Sequence, residues 1–430
     1  MNRPSDRTPA VVVMSDLAAL GRQHRLITDI AERGLVPLVI VGPVTDLARL
    51  QTHIDDPDHP LSRIAAVRQL PGPAIDGLLA SVRDWLDDYD VRGVICSGEV
   101  FVDPAAFLCE ALGLPGTGTW AGRVCRDKVM QRVVLREYGP ASRAFAPQNR
   151  ESAAAEVYPS VVKPAGRMFS SGVVRVDDDE ELRAALTQYE PDETILVEEL
   201  VVGPEFSVEA LVHNGELLWS GVTAKLTNEG DSRFFTEIGH TSPAKLPAAH
   251  TEALVEANAA ILKALRFGSG ITHAEFRLQQ DGRPVLMEIA ARLPGDAITM
   301  LWHLATGKPI EPAIVDLALG VRPDYPVPTR RAVQRFVEHS PGRLTDVRYE
   351  GQPVSWIVDD GFWPSVEAVD ATAPARCASV MVSLPRGASL GQLHDSSGRS
   401  AYVVVDLPWE ADPDSEVLAY ADKVELAIEV

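Results

Sequence analysis

ITHAEFRL (271–278) and PVLMEI (284–289), with Gln279-Gln280-Asp281-Gly282-Arg283 between them, decide how this chain is read. Asp281-Gly282 signals a hairpin, because glycine tolerates positive φ in a tight turn. A hairpin centred there sets Glu275 opposite Glu288. On its other face Ala274, Phe276 and Leu278 meet Ile289, Met287 and Val285, an apolar set that belongs against a core. Two carboxylates directly across a sheet repel each other. A divalent cation removes the conflict, since hard cations take oxygen ligands. A solvated polar face is the other reading of the same pair.

A chain of 430 residues exceeds one ordinary core, so roughly two to three domains are expected. Its 46% hydrophobic and 23% charged content fits a folded soluble protein. A net charge of −21 argues against a broad nucleic-acid surface but leaves room for a local basic pocket. No lysine precedes Lys128, so each later lysine draws scrutiny. Cys96, Cys109, Cys125 and Cys377 form neither CxxC nor a zinc spacing, which suits reduced, buried thiols and a cytoplasmic location. No apolar run is long enough to span a membrane, and the N-terminal apolar stretch is too short for a secretory signal.

Ala10–Met14 and Val36–Val41 read as buried strands on either side of a helix over Leu17–Gly34. Ile75–Tyr89 reads as a helix, Gly93–Ser97 as a strand, and Pro104–Leu112 as a helix stopped by Gly113. This alternation implies a parallel sheet flanked by helices. SDLAALG (15–21) lacks the Gly-x-Gly-x-x-Gly pattern, which disfavours a dinucleotide site. Asp127–Tyr138 reads as a helix; from Ser160 the pattern becomes short β-branched strands. Ala248–Leu265, Gly295–Thr306 and Pro309–Leu319 read as helices. The proline-rich VRPDYPVPTR (321–330) marks a boundary, and strand-like pieces beyond it show no catalytic cluster.

SVVKPAGRMFSSGVVRV (160–176) ends a strand at Lys163-Pro164 and turns through a loop containing Gly166, Ser170, Ser171 and Gly172. Backbone N–H groups of such loops can wrap phosphates, and lysine offers them a point charge. The spacing is not that of a P-loop, and a plain hairpin with a solvated lysine fits equally well. ILVEELVVGPEFSVE (195–209) runs an apolar strand into Glu198 and Glu199, then through Gly203-Pro204 to Glu205. Solvent-facing glutamates at a strand edge are the alternative there. Taken in order, RDKVMQRVVL, VVKPAGRMFSSGV, LVEELVVGPEFSVE, HAEFRL and MEIAARLPGD resemble the ATP-grasp superfamily of carboxylate–amine ligases.

That resemblance implies an α/β and α+β multidomain protein with the ATP-grasp fold. An N-terminal Rossmann-like α/β domain (1–122) would precede the nucleotide-binding and catalytic region (123–322), and a small C-terminal α+β domain (323–430) would follow. ATP and Mg²⁺, or Mn²⁺ in its place, are the implied cofactors. Lys128 and Lys163 would contact phosphates under the loop Gly166–Gly172. Glu198, Glu199 and Val201 would lie at the adenine hinge, Glu205 would bind the ribose, and Glu275 and Glu288 would hold the metal. Lys225 could also reach the phosphates. Many relatives carry Asn two residues after the second metal-binding glutamate; Ala290 stands there in this chain.

Glu288-Ile-Ala-Ala-Arg292 and RFFTEIGHTSPAK (233–245) resemble the L-amino-acid ligase branch. By that resemblance Arg292, Glu237 and His240 would serve the reacting substrates, which are a small carboxylate and an amine joined through an acyl phosphate. A salt bridge is the plainer role for Arg292, a polar surface loop for Glu237 and His240, and packing for His273. No nucleic-acid or membrane partner is implied, and relatives suggest a homodimer. A carboxylating or purine-pathway ligase of the same fold, or an ATP-binding protein without turnover, are the competing readings.

Overall fold

The computed structural model describes residues 7–72, 75, 77–230 and 233–429. Residues 1–6, within the N-terminal stretch considered above, and Asp76, within the helix expected over Ile75–Tyr89, lie outside the described residues.

The chain opens with β1 (Thr8–Met14), α1 (Leu17–Arg22), α2 (Arg25–Glu32), β2 (Val36–Val41), α3 (Leu47–Asp55) and β3 (Ala66–Gln69). Two short helices, α4 (Leu78–Val82) and α5 (Trp85–Asp88), lead into β4 (Tyr89–Cys96) and α6 (Val102–Leu112). The strands form a parallel sheet in the order β3-β2-β1-β4. Helices cover both faces, which is why these strands are nearly continuous apolar runs. Val11 and Val13 pack with Leu20, Leu26 and Ile27, and Val12 and Met14 with Leu78, Trp85 and Phe101. The winding reverses between β1 and β4, where such sheets leave a crevice at the carboxyl ends of their strands.

Two sequence expectations change here. The helix over Leu17–Gly34 is broken, because the Gly21 carbonyl accepts the Trp363 N–H at 3.2 Å and the helix restarts at Arg25. The helix over Ile75–Tyr89 is α4 and α5, with Tyr89 drawn into the sheet beside Thr8.

After α7 (Thr119–Arg126) and α8 (Lys128–Val134), four strands build a small antiparallel sheet ordered β5-β8-β6-β7. They are β5 (Ser142–Phe145), β6 (Ser160–Pro164), β7 (Val174–Val176) and β8 (Ile195–Glu199), with α9 (Asp179–Leu186) packed over them through Leu182 and Ala185. Then come β9 (Glu205–His213), β10 (Glu216–Thr227), β11 (Glu237–Ser242), α10 (Ala248–Leu265), β12 (Gly270–Leu278), β13 (Pro284–Ala290), α11 (Ile298–Thr306) and α12 (Glu311–Ala318). The remaining elements are β14 (Arg330–Phe336), β15 (Gly342–Tyr349), β16 (Ser355–Trp356), α13 (Ile357–Asp360), β17 (Arg376–Val382), β18 (Ser389–Leu390), β19 (Ala401–Pro408), α14 (Pro413–Ala421) and β20 (Val424–Glu429).

A nine-stranded sheet in the order β13-β12-β9-β10-β11-β14-β19-β17-β16 dominates this part. It runs straight across residues 322–323, because β14 pairs with β11 on one side and β19 on the other. A separate sheet, β18-β15-β20, lies beyond it. Among the described residues no helix is long and apolar enough to cross a membrane.

The acidic hairpin sets Glu275 opposite Glu288 and Ala274 opposite Ile289, as expected. The register then slips: Phe276 pairs with Leu286 and Leu278 with Pro284, rather than with Met287 and Val285. Met287 is the extra residue. It leaves the core face and joins Glu288 on the cavity lining, the re-aiming that a β-bulge produces.

Candidate active site

The N-terminal parallel sheet, the small antiparallel sheet and the nine-stranded sheet border a cavity of about 300 Å³, the size of a small-ligand pocket. Residues just beyond β1 and β4 line it, as do the loop after β6, the linker from β8 to β9, and polar positions on β10 to β13.

Glu275 and Glu288 face this cavity from neighbouring strands. Glu288 Oε1 lies 2.9 Å from Lys128 Nζ, which also donates to the Arg167 carbonyl at 3.0 Å. Glu275 Oε1 accepts from Lys225 Nζ at 2.5 Å and lies 3.2 Å from His273 Nε2. His273 Nδ1 in turn meets the fully buried Glu209 at 2.8 Å. Ser207, Thr223 and Trp302 donate to the same Glu209 carboxylate. Burial works against the Glu209 charge, but these partners outweigh it and hold its pKa below the usual carboxylate range. His273 thereby orients Glu275 from behind, a role beyond the packing expected of it. Two opposed carboxylates suit Mg²⁺, which takes few protein carboxylates and completes its shell with phosphate and water. Ala290 also lines the cavity but brings no ligand atom, so Glu275 and Glu288 are the carboxylates this hairpin could offer a metal.

Lys225 is the hub of the site. Its Nζ lies 2.7 Å from Glu237, 2.5 Å from Glu275 and 3.8 Å from Glu205. Burial disfavours its charge, yet the three carboxylates outweigh burial and hold Lys225 well above its ordinary pKa. Lys163 Nζ sits 2.7 Å from Glu198, which Arg132 also grips at 2.6 Å. Despite burial, Lys163 and Arg132 bring the Glu198 pKa down to about 2. Glu198 thus reaches the cavity as a buried anchor for two cations. Glu199 accepts the Ala141 N–H at 3.0 Å, and Val201 lies in the linker to β9. That linker passes so close to Leu278 that a Cβ on Gly203 would lie 2.0 Å from the Leu278 carbonyl oxygen, and Gly203 has φ +147°. Glu205 accepts from Arg277 at 2.9 Å.

In the loop after β6, Ser170 and Ser171 line the cavity with Arg167, Met168 and Phe169; Gly166 and Gly172 flank them in sequence but are not on the lining. The Phe169 carbonyl accepts the Ser396 N–H at 3.3 Å. The C-terminal region, read as empty of site residues, therefore reaches the cavity through Ser396 and Arg399.

Arg292 lies on the cavity wall with Nε 2.6 Å from Glu99 and Nη1 donating to the Leu293 carbonyl at 2.8 Å. The salt bridge and the wall position coexist. Glu237 and His240 sit on β11 rather than on a surface loop. Glu237 lines the cavity, whereas His240 is buried behind it, bonded to Glu237 at 2.8 Å and Gln334 at 3.0 Å. Glu99, Asp16, Asp296 and Arg399 escaped the sequence reading. Position carries the signal for Asp16 and Glu99: both follow carboxyl ends of β1 and β4 at the switch point. Asp296 is clasped by Arg399 at 2.7 and 3.0 Å. Potential ligand atoms of Glu237, His240 and Asp296 lie within 4.8 Å of one another. Lys225 pairs with Glu237, and Arg399 with Asp296.

Residues 156–300 match the ATP-grasp domain family. That matched stretch sits within an ATP-grasp fold. Along nearly its whole length it is built like the L-amino acid ligase of Bacillus licheniformis. The TM-score is 0.74 at 21% identity, covering 99% of this chain and 100% of that one. It is 26% identical to the alanine–anticapsin ligase of Bacillus subtilis (strain 168), over 48% of this chain and 49% of that protein. It is 30% identical to the D-alanine–D-alanine ligase of Anaeromyxobacter sp. (strain K), over 45% of this chain and 66% of that protein. The chain thus spans about half of the first relative's length and 66% of the second's.

Proposed function

We propose that this protein is an ATP-dependent ligase that joins a carboxylate, of the amino-acid class, to an amine through an acyl phosphate, releasing ADP and phosphate. The observation that carries the reading is that one cavity lining gathers the opposed Glu275 and Glu288 with Lys225, Lys128, Lys163 and Arg292. Bringing a carboxylate onto a polyphosphate sets like charges together, and preplaced cations lower that barrier. Mg²⁺ held by Glu275 and Glu288 would neutralise and orient the phosphates. Lys128 and Lys163 would hold phosphate oxygens, Ser170 and Ser171 would cover them, and Glu198, Glu199, Val201 and Glu205 would frame the nucleoside.

The substrate carboxylate oxygen bonds to the γ-phosphorus as the bond to the ADP oxygen breaks. The amine nitrogen then bonds to the acyl carbon, and phosphate departs with that oxygen. Arg292, a planar fork, suits the acyl phosphate. Lys225 and His240 outweigh burial and hold Glu237 well below the usual carboxylate range. Glu237 is therefore fitted to hold an ammonium group, and the amine's proton goes to the departing phosphate. His240 positions Glu237 from behind and touches no substrate.

The test is ADP release with Mg-ATP across pairs of amino acids and simple amines, with products weighed by mass spectrometry. Release that requires both partners, with a product equal to their sum minus water, is the expected result. ATP binding with no ADP release for any pair would contradict the reading.

A further inference from the structure

One row of directly paired positions crosses the nine-stranded sheet: Arg277 on β12, Glu205 on β9, Lys225 on β10, His240 on β11, Gln334 on β14 and Val404 on β19. Residues paired across strands share a face of the sheet. Arg277, Glu205 and Lys225 line the cavity, whereas His240 and Gln334 continue the row as buried groups. Beyond Gln334 the row turns apolar at Val404.

Gln334 is fully buried, and among the described residues its Nε2 has no hydrogen-bond partner. A buried donor left unmatched is unfavourable, and an apolar side chain of similar size would avoid the cost. What the amide supplies is its oxygen, which accepts the Ala297 N–H at 3.2 Å. A backbone N–H can only donate, so the atom facing it is the oxygen and not the nitrogen of the amide. The same oxygen lies 3.0 Å from His240 Nδ1. An amide oxygen can only accept, so Nδ1 carries a proton.

The other ring nitrogen is fixed by its own neighbour. His240 Nε2 lies 2.8 Å from Glu237 Oε2. Two lone pairs do not meet at that distance, so a proton lies between these atoms as well. Lys225 Nζ, 2.7 Å from the other Glu237 oxygen, favours the ionised carboxylate. The second proton therefore belongs to the ring, and His240 is an imidazolium. Without an acceptor at Nδ1, a neutral ring bearing its proton on Nε2 would serve Glu237 as well. Gln334 excludes that tautomer, because it would set a ring lone pair against the amide oxygen. The charged groups facing the ring are Glu237 and, at 3.9 Å, Asp296. Behind them stand Lys225 and Arg399; Arg399 donates to Asp296 and to the Glu237 carbonyl.

We propose that Gln334 is a positioning residue for the ligation. By accepting from Nδ1 it keeps His240 a cation, and that cation, together with Lys225, keeps Glu237 ionised and fixed for the ammonium-bearing substrate. The role of Glu237 toward substrate rests on the ligase reading; the hold of Gln334 on His240 does not. Gln334 acts through two other side chains and touches neither substrate. It stands 94 positions after His240, in the region whose sequence showed no catalytic cluster.

Two measurements on the full chain test this. In the first, ¹⁵N-histidine NMR reads the His240 ring, identified by the signals lost in His240→Gln. At pH about 8, where an unassisted histidine is neutral, wild type should show both ring nitrogens protonated. Gln334→Met keeps the size and removes the acceptor, so Nδ1 should lose its proton while Nε2 keeps its own. Gln334→Glu returns an acceptor and should return the doubly protonated ring. A neutral His240 in wild type, or a ring unchanged in Gln334→Met, overturns the proposal, and the wild-type spectrum decides even if a variant fails to fold. In the second, steady-state ligation with an active pair should show KM for the ammonium-bearing substrate rising roughly 10-fold in Gln334→Met. KM for ATP should stay within about twofold, and Gln334→Glu should recover most of the loss. An equal rise in both KM values would make Gln334 a structural residue and overturn the positioning role. A doubly protonated ring in wild type, lost in Gln334→Met, together with no turnover for any pair would keep the hold of Gln334 on His240 and remove the ligase reading alone.

Discussion

Lys163 and Lys225, on β6 and β10, each form salt bridges to glutamates of this chain; Arg22, the last residue of α1, forms none among the described residues and has Asp296 and Asp16 only as charged neighbours. The lysine region keeps its own charge balance before any ligand arrives. Carboxylates hold the lysines in place and make their burial tolerable. The second region keeps buried polar atoms without partners, Arg22 Nε, Tyr402 Oη and Gln334 Nε2. The two regions therefore differ in how much of their polar pairing the chain completes by itself.

The sharpest way to break that contrast is Glu288→Gln, which removes charge at almost constant volume. Turnover should fall by roughly 10²–10³-fold or more, while stability changes by less than about 1 kcal/mol, since the Lys128 pair faces the cavity. ADP release and thermal melts check both, and near-normal turnover would remove Glu288 from the metal role. Glu209→Gln strikes the buried support of the lysine region. His273 and three other donors lose a shared carboxylate, so the protein should lose about 3 kcal/mol by denaturant titration; an unchanged midpoint would show that Glu209 carries little. Arg292→Lys alters the cavity-lining residue bridged to Glu99. It should lower kcat/KM by about 100-fold, because an ammonium cannot reproduce a planar fork, and a mild effect would leave Arg292 only its salt bridge to Glu99.

The smallest effect distinguishes the two regions by acid. Burial, with Arg25 and His59 adding to it, lowers the pKa of His24, beside Arg22, to about 4. His303, in the adjoining recess, is lowered to about 4 by burial and Arg25. The unfolded chain therefore binds protons that the folded chain refuses, and stability falls as pH drops from about 6.5 to about 4. Glu198 behaves oppositely in charge but alike in sign. Its folded pKa of about 2 lies below the ordinary 4.5, so its contribution is present above 4.5 and is lost as pH falls toward 2. Acid should thus weaken the Arg22 region first. Melting temperature against pH for wild type and His24→Gln checks this: the variant should show a flatter slope between pH 6.5 and 4, and an identical slope would contradict it.

The hairpin was legible because its core face is apolar at period 2 and its turn carries Asp281-Gly282. Those signals placed Glu275 against Glu288 from residue types alone. They did not reveal the bulge at Met287, since an apolar residue reads as core whichever way a bulge aims it. Strand β11, EIGHTS, looked like a loop for a related reason: its buried side chains are satisfied by Lys225, Gln334 and each other rather than by apolar packing. The break after Arg22 depends on a bond from Trp363, 342 positions further along the chain than Gly21, and no local pattern announces it. Glu99 and Asp296 were missed because their roles come from partners distant in sequence, Arg292 and Arg399.

The most direct measurement follows oxygen. With an active pair in hand, the acid partner is supplied with ¹⁸O in its carboxylate, and the released phosphate is weighed. An acyl-phosphate route transfers a single ¹⁸O from the acid to phosphate in each turnover. Unlabelled phosphate formed alongside the amide would contradict attack of the carboxylate on ATP, and with it the chemistry proposed for this cavity.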